Sequence, residues 1–132
     1  VWRARCYGEG TDMTVIATGA MVKLAKEVAA EIGCSAEVWN PFILNPLAFD
    51  PILESVRKTG RLLVIQEAGA TAGLGDRYIS LVVRSGLNLK AAPSLVSAPD
   101  VPVPFAKELE DHYLPSTDAV SRAMRAVMGA NT

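Results

Sequence analysis

The sequence alternates short, largely apolar segments with longer segments in which apolar residues recur every three or four positions. The short segments are rich in aliphatic and β-branched side chains and cover residues 13–18, 36–39, 62–65 and 94–97. Apolar runs of this length, bounded by turn-forming residues, are typical of buried strands. The longer segments have the periodicity of helices that cover a sheet. This alternation predicts an α/β fold with a mostly parallel sheet covered on both faces.

Capping and turn residues predict where the first two helices begin and end. We expect Thr18 to cap the first helix and Gly33 to end it, because these residue types are favoured at the two positions. Asp50 and Pro51 are expected to open the second helix, as its N-cap and first helical residue. Gly60 is expected to end that helix.

Three weaker patterns complete the expected elements. Residues 3–7 alternate weakly and are expected to form an edge strand. A third helix is predicted over residues 77–85, with Tyr78 on its buried face. Pro115 and Ser116 introduce a final helix, whose expected buried face consists of Val120, Ala123, Met124, Val127 and Met128.

Composition narrows the class of protein. The 132 residues include 13 Lys and Arg against 14 Asp and Glu, for a net charge of -1, and half of the residues are apolar. This length fits one domain, and this composition excludes intrinsic disorder. The near-neutral charge argues against a nucleic-acid partner, and no apolar run approaches the ~18 residues of a membrane span. Cys6 and Cys34 match no metal-ligand spacing, so we expect reduced cysteines in a cytosolic-type compartment.

A glycine-rich stretch follows the strongest strand and is the first candidate for a site. It runs from Glu67 through Gly69 and Gly73 to Gly75, between a strand and a helix, where α/β proteins commonly bind phosphates. However, its spacing differs from the dinucleotide fingerprint, and no P-loop lysine follows it. Two interpretations remain open: a tight crossover with close backbone approach, or a small-molecule- or nucleotide-binding turn over residues 69–75.

The other chemistry-bearing residues are few. Glu67 at a strand end and Asp100 in a proline-rich loop could line one crevice as acid and base, although no spacing rule brings them together. His112 is the only imidazole and lies among acidic residues. We therefore assign no catalytic, cofactor-binding or metal-binding residue. The proline-rich loop is a candidate contact surface, or else it wraps the edge of its own sheet; its proposed interface residues are Asp100, Pro102, Pro104 and Phe105.

Several motifs together resemble a known family. The segment of residues 9–19, Glu-Gly-Thr-Asp-Met-Thr-Val-Ile-Ala-Thr-Gly, is similar to the opening of a transketolase-type C-terminal domain, and residues 67–75 resemble its strand-to-glycine turn. The resemblance becomes more specific through residues 99–105, Pro-Asp-Val-Pro-Val-Pro-Phe, together with Leu-Glu at 109–110 and Leu-Pro-Ser at 114–116. The combination resembles beta subunits of thiamine-diphosphate-dependent 2-oxoacid dehydrogenases of the pyruvate, branched-chain or acetoin type.

The resemblance implies a three-layer α/β/α sandwich with a five-stranded mixed sheet, in which residues 3–7 form an antiparallel first strand. Residues 1–132 would be a single domain of this type, expected to belong to a longer chain. The domain would help to assemble the enzyme, with a second copy, an alpha subunit or the acyltransferase core as partners. Thiamine diphosphate and Mg would be bound by the parent enzyme and not by this domain alone. The implied compartment is the cytoplasm, or the mitochondrial matrix in a eukaryote.

One position departs from the family pattern. Many relatives have an acidic residue in the stretch before the last strand, where it can contact a basic subunit-binding domain of the acyltransferase. The stretch here is Leu-Lys-Ala-Ala-Pro, with Lys90 at that position. A lysine should repel a basic partner, so such a contact would have to use other groups, such as Glu108, Glu110 and Asp111.

Overall fold

The computed structural model describes residues 4–41, 46–69, 74–98 and 115–129. In this part of the chain, five strands form one sheet of order β1-β3-β2-β4-β5. The strands are β1 (Arg5–Tyr7), β2 (Met13–Ala17), β3 (Ala36–Asn40), β4 (Leu62–Gly69) and β5 (Ser94–Ala98). β1 is antiparallel to β3, and the other three pairs are parallel. The mixed sheet with an antiparallel first strand at its edge is thus confirmed.

The helices of the described residues cover both faces of the sheet. They are α1 (Met21–Ile32), α2 (Pro46–Thr59), α3 (Gly75–Arg84) and α4 (Thr117–Met128). Buried residues of α1 and α4 share one core cluster with the sheet, whereas those of α2 and α3 share another. This arrangement confirms the three-layer sandwich. In the described part of the chain, no helix is long and apolar enough to cross a membrane.

Strand β4 shows why a continuous apolar run marks an interior strand. It pairs with β2 on one side and with β5 on the other. Leu62 and Val64 contribute to the core under α2 and α3, whereas Leu63 and Ile65 contribute to the core under α1 and α4. Successive side chains of a strand point to opposite faces, so a strand buried on both faces needs apolar residues at every position.

The order of the strands creates a switch point at the carboxyl ends of β2 and β4. The chain passes from β2 through α1 to β3 on one side, and then returns through α2 to β4 on the other side of β2. In open α/β sheets, ligands bind in the crevice where connections leave in opposite directions. A site is therefore expected at the switch point.

The start of α1 differs from the prediction. Its N-cap is Ala20, which provides no side-chain hydrogen bond, whereas Thr18 takes part through its backbone carbonyl, which accepts from the Met21 N–H at 3.1 Å. The prediction of Thr18 as the cap is wrong because the Glu67 carboxylate of β4 caps this helix instead. Gly33 ends α1 in the left-handed conformation, at φ 73°, as predicted.

Helix α2 begins at Pro46, so the predicted start at Asp50 and Pro51 is wrong and Pro51 lies inside the helix. The reason is an apolar stripe that extends further towards the N-terminus than the capping signal suggested. Phe49 is 3% exposed and packs in one cluster with Ile52 and Val56, at helical spacing. Burying this aromatic ring outweighs the backbone hydrogen bond that Pro51 cannot donate.

The remaining helix ends agree more closely with the positions predicted from the sequence. α2 ends at Thr59, directly before Gly60, which has a φ of 73°. α3 begins at Gly75, two residues before its predicted start, and Ser85 is its C-cap. The last helix begins at Thr117, directly after Pro115 and Ser116 as predicted, and the Ser116 hydroxyl caps it by accepting from the Ala119 N–H at 3.1 Å.

Candidate functional site

Two consecutive side chains of β4 cap two helices on opposite faces of the sheet. Glu67 Oε1 accepts from the backbone N–H of Ala20, at the start of α1, at 3.1 Å. Gln66 Oε1 accepts from the backbone N–H of Gly75, at the start of α3, at 2.7 Å. Neither helix has a capping side chain of its own. The end of β4 therefore supplies both caps, because residues 66 and 67 point to opposite faces.

The glycines beside these caps leave room for the capping side chains. A Cβ added at Gly75 would lie 2.5 Å from Gln66 Oε1 and 2.5 Å from Leu95 Cδ1. A Cβ at Gly19, which has a φ of 57°, would lie 2.7 Å from Glu67 Oε1. Close approach thus explains why glycine occurs at both positions.

The residues singled out from sequence divide into two groups. Glu67 and Gly69 lie in the last part of β4, and Gly69 pairs with Ala98 of β5. Gly75 is the first residue of α3. The others lie outside the described residues: Gly73, Asp100, Pro102, Pro104, Phe105 and His112. The structure therefore brings Glu67 and Gly75 to one edge of the sheet, each beside a helix N-terminus.

A buried carboxylate that the sequence patterns did not single out lies at the amino end of β3. The side chain of Glu37 is 7% exposed and forms an ion pair with Lys58 of α2. Its oxygens also accept from Trp39 Nε1 at 3.1 Å and from the Gly10 N–H at 3.3 Å. Burial alone raises the pKa of Glu37, but hydrogen bonds from Lys58, Ser55, Trp39 and the Gly10 backbone outweigh it and lower the pKa. Glu37 is therefore an ionised group that ties β3 to α2 and to the turn before β2.

Next to Glu37, a chain of buried hydroxyls joins β2 to α2. Thr14 Oγ1 lies 2.7 Å from Ser55 Oγ and 2.8 Å from Thr59 Oγ1. These three residues are at most 3% exposed. The Thr59 hydroxyl also donates to the carbonyl of Arg61 at 3.2 Å. The hydroxyls satisfy one another inside the fold, as buried polar groups must, so we assign them a structural role.

The described residues do not fit a magnesium–diphosphate group. Among them, no three His, Cys, Asp or Glu side chains are grouped so that they could hold a metal ion. A diphosphate at the switch point would need free N–H groups and cations, but Glu67 and Gln66 already place acceptors at the starts of α1 and α3. We therefore derive no chemical step through such a cofactor on these residues.

Residues 3–120 match the family described as the transketolase C-terminal domain. The chain belongs to this family.

Relatives of the chain include beta subunits of oxidoreductases. The chain is 39% identical over 125 residues to the acetoin:2,6-dichlorophenolindophenol oxidoreductase subunit beta of Bacillus subtilis (strain 168), covering 92% of the chain and 36% of that subunit. It is 36% identical over 129 residues to the pyruvate dehydrogenase E1 component subunit beta of Rickettsia bellii (strain RML369-C), covering 95% and 40%. The chain thus spans well under half the length of these relatives.

A solved structure also resembles this fold. The chain of a split-gene transketolase, described as an inactive beta4 tetramer, superposes with a TM-score of 0.77 at 25% identity. The match covers 98% of this chain and 42% of that one. The likeness therefore extends over nearly the whole of this chain and less than half of the transketolase chain.

Proposed function

We propose that this chain is the C-terminal domain of the beta subunit of a thiamine-diphosphate-dependent 2-oxoacid dehydrogenase of the pyruvate, branched-chain or acetoin type. The parent enzyme would decarboxylate a 2-oxoacid oxidatively and transfer the acyl group to lipoyl groups. This domain would contribute to assembly and carry none of that chemistry alone. Similarity to beta subunits over 92% and 95% of the chain supports the proposal.

The observation that carries the assembly role is the closed switch point. Where many α/β domains leave helix N-termini open to a ligand, Glu67 and Gln66 occupy the starts of α1 and α3. The described carboxylate with the most hydrogen bonds, Glu37, is engaged in holding three elements together. A domain whose polar groups are used internally in this way is better suited to contacts between subunits than to catalysis.

The proposed partners are a second copy of the chain or an alpha subunit, with the acyltransferase core as a further partner. The proposed contact segment is the proline-rich stretch with Asp100 and Phe105, since prolines lower the entropy lost when a loop is ordered on binding. Lys90 is exposed and its side chain lies against Gly60, at the amino end of β4. A cation there disfavours a basic partner at that edge. The proposed compartment is the cytoplasm, or the mitochondrial matrix in a eukaryote.

Sedimentation equilibrium over a wide concentration range tests the assembly role. We expect a dimer that forms as concentration rises, and we expect Phe105→Ala to weaken association about tenfold or more, because buried aromatics dominate interfaces. The thermal midpoint should change little. Val83→Ala is the matched control, since Val83 is a 53% exposed apolar residue of α3.

Two results would contradict the proposal. A strict monomer up to ~100 μM would show that the chain has no association surface of useful strength. Equal losses of association and of thermal stability in Phe105→Ala would place the proline-rich segment in the core of the domain and not at an interface.

The alternative is an independent small-molecule- or nucleotide-binding domain that uses residues 69–75. The hydrogen bond from the Gly75 N–H to Gln66 disfavours it, because a phosphate at that helix start would have to displace the amide oxygen. The alternative predicts a nucleotide-dependent stabilisation of about 2.7 kcal/mol at a hundredfold excess over Kd. It also predicts shifts in the amide resonances of residues 74–76.

A further inference from the structure

A half-open cavity of about 500 Å³ lies between α1 and the sheet edge formed by β1 and β3. It is lined from α1 by Val22, Lys23, Lys26 and Glu27, from the strands by Tyr7 and Asn40, and from the turn before α1 by Gly19. We refer to this cavity as the α1–β1 groove. Because α1 buries Met21, Ala25 and Val28 in the core, the neighbouring flank of the helix faces the sheet edge beside the three-residue strand β1. Its volume is within the range of small-molecule sites.

The floor of the α1–β1 groove is apolar. Val22 is 9% exposed, and Tyr7 is partly buried and packs against the core under α1. An apolar floor keeps the local dielectric constant low and so strengthens the field of any charge at the rim. It also offers surface that a carbon skeleton can cover.

The rim of the groove is positively charged. Lys23 Nζ lies 3.9 Å from Glu27 Oε1, but both side chains are more than 60% exposed, so this ion pair is weak. Another anion can therefore replace Glu27 as the partner of Lys23. Within the described residues, no carboxylate forms an ion pair with Lys26. The first turn of α1 has no acidic residue of its own, and the positive end of its dipole is met by the Glu67 carboxylate at the Ala20 N–H. The lining of the groove thus carries two lysines against one glutamate, on a chain whose net charge is -1.

We propose that the α1–β1 groove binds a small organic anion. Its carboxylate or phosphate contacts the ammonium groups of Lys23 and Lys26, and a compact apolar body covers Val22 and Tyr7. Two adjacent lysines and a cavity of this size fit a single small anion, whereas a nucleic acid would require a longer basic stripe. The groove adjoins the switch point at Gly19, but the proposal does not depend on the proposed assembly role.

A nuclear magnetic resonance titration of the chain with phenyl phosphate and with benzoate tests the proposal. We expect saturable shifts of the backbone amides of Tyr7, Val22, Lys23 and Lys26 with at least one of these anions, and the two arms show which anionic group is preferred. Benzyl alcohol and inorganic phosphate should bind much more weakly, because the first lacks the charge and the second lacks the apolar body. Raising the salt concentration from about 50 to about 500 mM should weaken binding, as it does for exposed charges.

Charge-removing variants give the sharpest comparison. Lys26→Gln is expected to weaken binding about tenfold, the loss typical of one charge-assisted contact. Lys90→Gln, which removes the same charge from another exposed lysine, should leave binding unchanged. Both positions are on the surface, so both variants should fold.

Several outcomes would overturn the proposal. The proposal fails if neither anion causes saturable shifts of the groove amides at concentrations up to ~10 mM. The dissociation constant would then be too weak for a small-molecule site. Equal weakening by Lys26→Gln and Lys90→Gln would show a general charge effect. Inorganic phosphate that binds as tightly as phenyl phosphate would exclude the role of the apolar floor.

Discussion

At the scale of single residues, Glu67 takes the place of a capping side chain that α1 lacks. Its carboxylate accepts from the Ala20 N–H and lies at the positive end of the helix dipole. We expect Glu67→Ala to lower the free energy of unfolding by about 1 kcal/mol, the usual value of a cap. Glu67→Gln should lose less, because an amide oxygen still accepts. Urea denaturation measures both changes.

The control for this prediction is Glu9→Ala, which removes an exposed carboxylate from the connection between β1 and β2. It should unfold at the same urea concentration as the unmodified chain. If Glu67→Ala also unfolds at that concentration, the hydrogen bond to Ala20 contributes nothing to stability and the capping role is wrong.

The site could be predicted only in part from the sequence, because its contacts join residues that are far apart in the chain. The pattern located Glu67 at the end of a buried strand, but its partner Ala20 is 47 positions away, and no spacing rule joins the two. The signal for Glu37 was weaker than that for Glu67, because the sequence shows only one acidic residue in an otherwise apolar strand. Its partner Lys58 lies in α2, far from it in the chain. Such contacts follow from the packing of helices on the sheet, so local sequence signals cannot specify them.

At the scale of elements, α2 contains a proline whose removal should stabilise the helix. Pro51 is exposed and lies six residues into α2, where an ordinary residue would donate to the carbonyl of Leu47. Replacing it with alanine supplies the missing N–H donor and introduces a strong helix former. Because proline also restricts the unfolded chain, we expect Pro51→Ala to raise the free energy of unfolding by about 1–2 kcal/mol, measured by thermal and urea unfolding.

Pro46→Ala is the matched control, because Pro46 is the first residue of α2 and a proline at that position disrupts no helical hydrogen bond. Little change is expected there. A Pro51→Ala variant that is no more stable than the unmodified chain would show that the proline fits α2 without cost.

At the scale of the whole molecule, the layered architecture follows from the alternation of the two periodicities. Apolar runs such as Leu62–Ile65 need cover on both faces, and the helical stripes provide it. The family resemblance further implied that the first strand is antiparallel. The order of the strands was not readable from spacing, because which strands pair is decided by contacts between residues far apart in the chain. Helix starts were misplaced for the same reason, as at α2.

Cys34 provides a probe of the whole molecule, since it is 9% exposed and belongs to the core that joins α1, α4 and the sheet. Burial and then the charge of Asp12 raise the pKa of Cys34 to about 11. The unfolded chain, with an ordinary thiol pKa, loses this proton first as pH rises. The free energy of unfolding should therefore fall between about pH 9 and pH 11.

Urea denaturation at several pH values measures this dependence. The free energy of unfolding of Cys34→Ala should fall less steeply with pH than that of the unmodified chain, because the variant lacks the shifted thiol. Some fall should remain, because the variant retains every other group that titrates in the same range. Cys6→Ala is the control: Cys6 is exposed, and its variant should keep most of the dependence. Thiol labelling gives an independent readout, since a buried, protonated thiol reacts only after the core opens. An unchanged pH dependence in Cys34→Ala, or rapid labelling of Cys34 in the folded chain, would show that this core is open to solvent.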